Sequence, residues 1–389
     1  MRPKEPAWLP FDPMSDSLPK MPSVTEAPNQ ALSGELHRDD SADLSGLVVR
    51  AAQDSDYEAI DGFVSANGGS LFQASAWSRA IQKVFRHQRK DIVAHQDGEL
   101  VGLLPMMQCR GLFGGSHLIS TPYGVYGGPL SLNSGVTKVL VDAALVAAKS
   151  INVGRLELRS RYEIEHPGLV HSDRYVTFVK ELAEDYDGVL KSMKKDERRL
   201  VRRATDTHGL ELDQGSWFLQ DLARLFHASK RGLGSPGLPV AWFRALQEGL
   251  GENAPIHIVR RGSEVLAASM CFIDGKELRM YYIGTAPDAN RNYNVTSFMI
   301  AELQRWAIER GLEVFDLGRS RSDAGAVKFK KNQGFSSEPL HYSYGLVRSK
   351  SLPSFTPSNP RTVKLRQIWS KLPPALCVAI SNRISRFLP

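Results

Sequence analysis

The chain has 389 residues, enough for two domains of ordinary size, and its 42% hydrophobic and 23% charged content excludes a wholly disordered protein. A net charge of +7 and a pI near 9.2 point to an anionic partner (phosphate, nucleic acid or lipid head groups) without choosing among them. Cys109, Cys271 and Cys377 are far apart and odd in number, which argues against a disulfide framework or zinc site and fits a reducing compartment.

Residues 1–45 are rich in Pro, Ser and Asp without periodicity and read as a disordered arm. The first residues, "MRPKEPAWLPFDPMSDS", place prolines and acids where a signal peptide needs an apolar core. No stretch approaches the roughly 20 apolar residues that span a bilayer. The expected location is the cytoplasm. Helical spacing of apolar residues then marks 57–67 and 77–85. "DIVAH" (91–95) and "LVGLLPMMQ" (100–108) flank "QDGE", and Asp-Gly between apolar runs predicts a hairpin. A glycine- and aromatic-rich loop (111–129), a helix (136–150), a strand (155–160) and a strand closing the unit (174–182) follow.

The same order recurs later. Strands at 255–261, 264–273 and 277–285 turn at Gly262 and at Asp274-Gly275. A helix (296–311) comes next, with Met299, Ile300, Leu303, Trp306 and Ala307 toward one side and Glu302, Arg305 and Glu309 toward the other. A strand (312–318), a charged loop, a short helix and a strand (340–347) complete the second copy. The fold class read from this is α+β, with domains at 46–183 and 184–350 and a tail at 351–389.

The charged loop, "FDLGRSRSDAGAVKFKKNQGF" (315–335), ends a core strand on Asp316 and continues with Arg319 and Arg321. Asp316 reads either as an ion-pair partner of Arg319 or Arg321, shaping the loop, or as a group that takes a proton or orients a substrate. A helix at 188–204 carries Leu190, Met193, Leu200 and Val201 on one side. Its other faces hold seven cations within thirteen residues, Lys194, Lys195 and Arg198 among them. That stripe attracts phosphate or is simply a solvated linker, and with no aromatic between the cations it is poorly suited to base stacking.

Four stretches together resemble the FemAB family of tandem GNAT acyltransferases, and specifically its branch associated with PEP-CTERM/exosortase exopolysaccharide systems. They are "LVGLLPMMQCRGLFGGSHLISTPYGVYGGP", "LKSMKKDERRLVRRATDTHGLEL", "WAIERGLEVFDLGRSRSDAGAVKFKKNQGF" and "SNPRTVKLRQIWSKLP". The resemblance implies two GNAT-like domains and transfer of an acyl or aminoacyl group to an amine or hydroxyl of a cell-envelope or exopolysaccharide precursor. The implied donor is aminoacyl-tRNA or acyl-CoA, with no tightly bound cofactor. FemAB enzymes place a Phe-Lys pair at the reacting centre, which here is Phe329-Lys330. Lys330 is expected to stabilise developing charge or neutralise a phosphate, with Phe329 stacking on the donor. Arg319, Ser320 and Asn332 are expected to contact substrate, and Tyr123 and Tyr126 to face the acceptor. His117 receives no role.

Where GNAT enzymes set a glycine-rich phosphate loop, this chain has "APDANRNYNVT" (286–296) without glycine, which weakens a CoA cradle and leaves tRNA more open. The tail, with Leu376, Val378, Ile380, Ile384 and Phe387 among Arg383 and Arg386, reads as an amphipathic helix. It packs on the second domain or lies peripherally on the inner membrane surface. Two other readings remain open: an ordinary acyl-CoA-dependent N- or O-acetyltransferase, and a non-catalytic double GNAT that binds polysaccharide or nucleic acid.

Overall fold

The computed structural model describes residues 43–112, 114–352 and 360–389, so the expected arm lies almost wholly outside the described residues. Three sheets organise these residues. A four-stranded sheet orders Leu47–Ala51, Ile92–Gln96, Glu99–Leu104 and Leu130–Ser131. Its central hairpin turns at Asp97 and Gly98, both at positive φ (52° and 90°), the conformation that suits a two-residue hairpin loop. A six-stranded sheet is built around Met107–Arg110, Ser116–Ile119 and Arg155–Ser160, and a larger sheet around Ile256–Arg261, Glu264–Asp274 and Glu277–Thr285.

The two halves exchange strands. Tyr175–Glu181, expected to close the first unit, instead pairs antiparallel with Val314–Asp316, aligning Val179 with Asp316. His341–Leu346, expected in the second unit, pairs antiparallel with Arg155–Ser160, aligning His341 with Ser160. Apolar alternation reports which face of a strand is buried but not which neighbour supplies the hydrogen bonds, so the pattern alone does not reveal the exchange.

One core runs across both halves. Phe72 and Trp77 from the first meet Trp242 and Phe272 from the second, with Trp77 5.2 Å from Trp242 in edge-on geometry. Trp242 belongs to Val240–Leu250, which with Leu219–Gly232 forms a helical pair that the sequence reading does not single out. The helix expected at 188–204 is two, Tyr186–Ser192 and Lys195–Asp206. The chain is extended at Met193, whose side chain is buried with Val189, Val201 and Ala301, while the Lys194 N–H donates to the Asn332 carbonyl at 3.0 Å. Burying that methionine and satisfying that amide accounts for the break. The pair also covers the supposed outer face of Val295–Ile308: Glu302 is buried and accepts from the Tyr186 hydroxyl at 2.5 Å.

Candidate active site

Glu277–Thr285 runs parallel to Val314–Asp316 for only three residue pairs, Glu277–Val314 to Arg279–Asp316. Beyond them the strands part. Glu277–Thr285 follows its antiparallel neighbour, with a bulge that places Tyr281 between the paired residues Met280 and Tyr282. The other strand turns at Gly318 (φ 66°) and reappears as Ser320–Arg321 against Tyr175 and Val176. Glycine is suited to this turn because a Cβ disfavours positive φ. The gap opens into a cavity of about 350 Å³, walled by Met280–Tyr282 on one side and Leu317–Arg319 on the other.

Three cationic side chains and no aspartate or glutamate line the cavity among the described residues, and Arg159 also donates to a Pro389 oxygen at 3.2 Å. Arg319 stands open to it, with its guanidinium 4.7 Å from the Tyr175 ring centre and donating to the Tyr342 hydroxyl at 3.2 Å. Arg159 is buried, paired with Glu157 at 2.9 Å and donating to the Gly124 carbonyl at 3.3 Å. Lys230 lies 5.2 Å from the Phe226 ring centre, and burial and then the nearby Arg319 charge lower its pKa. Tyr281 donates to the Tyr123 carbonyl at 2.7 Å, tying the bulge to the opposite half of the protein. Such a lining suits a ligand with negative charge and some apolar or aromatic surface.

Asp316 lies behind the cavity, fully buried. It accepts from the Tyr126 hydroxyl at 2.6 Å, the Thr177 hydroxyl at 3.1 Å and the Gly318 N–H at 2.6 Å. Its cationic neighbour is Arg279 at 3.8 Å, which also grips Asp274 and Glu277. The expected pairing with Arg319 or Arg321 is therefore corrected. Arg319 turns to Tyr342 and Arg321 pairs with its near neighbour Asp323, because the turn at Gly318 carries both past the carboxylate. Burial, then repulsion from Glu277, raises the Asp316 pKa.

Lys330 sits on the helix Ala326–Asn332 and donates to the carbonyls of Leu317 and Gly318 at 2.7 and 2.8 Å. Burial lowers its pKa to about 8. Gly318 is thus held from both ends, its N–H by Asp316 and its carbonyl by Lys330, and the next residue is Arg319. Neither Asp316 nor Lys330 lines the cavity. Phe329 packs against the core of the larger sheet, Ser320 pairs in that sheet, and Asn332 contributes its carbonyl to Lys194. Tyr123 lines the same cavity as Arg319, whereas Tyr126 faces a smaller cleft with Arg161 and Arg279.

Lys194 and Lys195 are exposed and Arg198 is half-buried, all on the basic segment away from the cavity lining. The sequence reading missed Arg159, Lys230 and Tyr281. The "MYYIGT" strand was recognised, but nothing in its pattern marks the bulge.

The glycine-free segment forms a short helix, Ala289–Tyr293, and its Asn290 side chain accepts from the Thr296 N–H at 2.9 Å. The first turn of Val295–Ile308 also meets Glu197, which accepts from Ser297 at 2.9 Å and from Gln333 at 2.8 Å. The protein's own carboxylate therefore stands at the helix start that would otherwise attract an anion. No cluster of His, Cys, Asp and Glu among the described residues has the arrangement to hold a metal ion.

Residues 191–331 match the family model described as an acetyltransferase (GNAT) domain. No curated protein sequence matches the chain. Among solved structures, FemX is similar at a TM-score of 0.60 and 14% identity, over 77% of this chain and 98% of that one. L-PGS from Bacillus licheniformis is similar at 0.50 and 14%, over 87% and 99%. The C-terminal domain of a putative lysylphosphatidylglycerol synthetase from Agrobacterium fabrum is similar at 0.50 and 15%, over 75% and 91%. At such identities the likeness is one of fold, and it runs through both halves of the chain. The chain therefore has a mixed α/β GNAT-like fold, and its residues 191–331 match an acetyltransferase (GNAT) domain.

Proposed function

We propose that the protein is a FemAB-type acyltransferase that moves an acyl or aminoacyl group onto an amine or hydroxyl of a cell-envelope or exopolysaccharide precursor, in the exosortase-associated manner that the sequence resemblance implies. The observation that carries this reading is the cavity at the parting of Glu277–Thr285 and Val314–Asp316, lined by Arg159, Lys230 and Arg319 and by no aspartate or glutamate among the described residues. The acceptor attacks the donor carbonyl there, and negative charge grows on the carbonyl oxygen as the bond to the donor's leaving group breaks. A cation preorganised in a partly enclosed site stabilises that charge without having to reorganise. Arg319 is the group for this role, and Asp316 and Lys330 act as positioning residues by fixing the Gly318 peptide before it. The acceptor proton leaves with the departing donor group or through water.

Aminoacyl-tRNA is favoured over acyl-CoA as donor. Glu197 and Asn290 already occupy the start of Val295–Ile308, and a pyrophosphate there would meet a carboxylate. The exposed cations Lys194, Lys195 and Arg199 offer a surface for a longer polyanion.

The test is a transfer assay with labelled aminoacyl-tRNA or labelled acetyl-CoA, each with an envelope-precursor extract. Label moved from tRNA by the wild type and lost in Arg319→Met supports the reading. Label moved from acetyl-CoA alone replaces the donor, and label moved equally well by Arg319→Met removes Arg319 from the reaction.

A further inference from the structure

The excess positive charge of the chain is concentrated at one end. Of its 49 lysines and arginines, eight lie between Pro339 and Pro389, where there is no aspartate or glutamate, leaving 41 cations against 42 acids in all that precedes. Within this stretch the helix Pro360–Lys371 exposes Leu365 (64%) and Ile368 (59%), which stand three residues apart on one face. Lys364, Arg366 and Lys371 share the helix and are exposed. Leu233 and Leu376 add further exposed apolar surface on the adjoining segments.

The helix is seated through Arg366, by both its backbone and its side chain. Gly234, at φ 70°, leaves room for it: a Cβ there would fall 2.6 Å from the Arg366 carbonyl oxygen. The Arg366 guanidinium donates twice to the Leu233 carbonyl, at 3.1 and 3.0 Å. This seating leaves Leu365 and Ile368 uncovered by any described residue. The next helix, Pro374–Ile384, behaves differently. Cys377 and Ser381 are buried, and Ser381 accepts from the Gly237 N–H at 3.1 Å. The surface-seeking face lies in the helix before the one that the sequence pattern suggested.

One short loop joins this patch to the cavity. Leu233 stands against Arg366, while Pro236 and Leu238, a few residues on, line the cavity wall. We propose that the tail is a docking surface for an anionic lipid bilayer, with Leu365 and Ile368 entering the headgroup boundary and Lys364 and Lys371 facing lipid phosphates. The mouth of the cavity then lies beside the membrane plane. Both features of the helix are needed for this choice. A second copy would bring the same cationic stretch, without aspartate or glutamate, and be repelled, and a nucleic acid backbone makes no use of exposed leucine and isoleucine. No helix among the described residues is long and apolar enough to cross a bilayer, so the mode is peripheral. Delivery of a lipid-borne acceptor to the cavity rests on the proposed acyl transfer, whereas docking does not.

The test is co-sedimentation of the full chain with vesicles of phosphatidylcholine alone or mixed with phosphatidylglycerol. The expected result is binding to the mixed vesicles only, weakened by salt, with Lys364→Gln and Lys371→Gln each lowering the partition about fivefold. Leu365→Asp/Ile368→Asp abolishes binding, while its thermal unfolding stays at the wild-type temperature because both sites are exposed. Absence of wild-type binding to the mixed vesicles, or undiminished binding by the aspartate variant, overturns the proposal. So does a wild-type dimer in sedimentation velocity that the variant dissolves. Transfer to a water-soluble acceptor, measured on the same variant, reports separately on the cavity.

Discussion

Tyr126 and Asp316, 190 residues apart in sequence, meet in a buried hydrogen bond of 2.6 Å. The bond joins the glycine-rich loop of the first half to the strand end that begins the candidate site in the second. The Asp316 carboxylate also accepts from Thr177 and from the Gly318 N–H, so the Tyr126 hydroxyl holds one corner of the group that fixes the Gly318 turn.

Tyr126→Phe removes that donor while keeping the ring, leaving a buried acceptor short of one partner. The expected loss of stability is about 1–3 kcal/mol, read from urea unfolding. If Asp316 works through the turn rather than on substrate, transfer activity falls with kcat while donor KM stays near the wild-type value. A variant as stable and as active as the wild type would remove the bond from both roles.

Some of this arrangement is legible in the sequence and some is not. The hairpins are, because the turn chemistry is local: one turns at Asp97-Gly98 and the other at Gly275-Lys276, one residue beyond the expected Asp274-Gly275. The Leu219–Gly232 helix had its signal in "LQDLARLFHASKRG": buried Leu219, Leu222, Ala223 and Phe226 recur at helical spacing. The strand exchange and the gathering of Arg159, Lys230 and Arg319 are long-range outcomes that no local spacing encodes. Lys330 and Asp316 were picked out by resemblance and strand position, yet what they share, the peptide of Gly318, became visible only with the turn in three dimensions.

Arg319→Met leaves the aromatic surroundings a side chain of similar length but takes the charge from the cavity. Its hydrogen-bond partner in the fold is one tyrosine hydroxyl, and methionine can still pack on the Tyr175 ring that the guanidinium covers, so the melting temperature should change little. A charged hydrogen bond to the reacting group is worth about 1.5–3 kcal/mol, so kcat/KM should fall roughly tenfold to hundredfold. A loss below twofold would take Arg319 out of the mechanism.

Gly284 is packed against the cavity-wall helix Leu219–Gly232. A Cβ added there would lie 2.2 Å from the Phe226 backbone nitrogen and 2.3 Å from the Leu225 carbonyl carbon, contacts that no side-chain rotation relieves. Gly284→Ala should therefore destabilise by about 1–3 kcal/mol and displace the helix that carries Phe226 and Lys230. A lower urea midpoint together with weakened donor binding is the expected pair of results; unchanged binding would show that the wall tolerates the shift.

Lys194 and Lys195 are exposed, and no described residue pairs with either side chain. Reversing both to glutamate should alter stability by less than about 0.5 kcal/mol. With a polyanionic donor, KM rises and its dependence on salt becomes shallower, because fewer phosphate contacts release counterions. Titrating KM against salt for the wild type and Lys194→Glu/Lys195→Glu decides the matter, and parallel lines would place the polyanion elsewhere.

Lys330 gives a test by pH. Burial lowers its pKa from 10.5 to about 8. Below pH 8 the amine is charged in both folded and unfolded chains, and the folded state bears the cost of desolvation. Between about pH 8 and 10.5 the folded chain has lost a proton that the unfolded chain keeps, so this group makes stability rise with pH by about 1.4 kcal/mol per unit. Lys180, lowered to about 8 by burial, adds a rise of the same sign. Lys330→Met should remove one share of the slope in urea-unfolding free energy and leave the Lys180 share. Activity separates two roles for the amine. Deprotonated, it still has two N–H groups, enough to hold the carbonyls of Leu317 and Gly318. As a positioning residue it therefore leaves wild-type kcat level through pH 8, whereas a group supplying positive charge to the reaction would lose rate in proportion to its deprotonation.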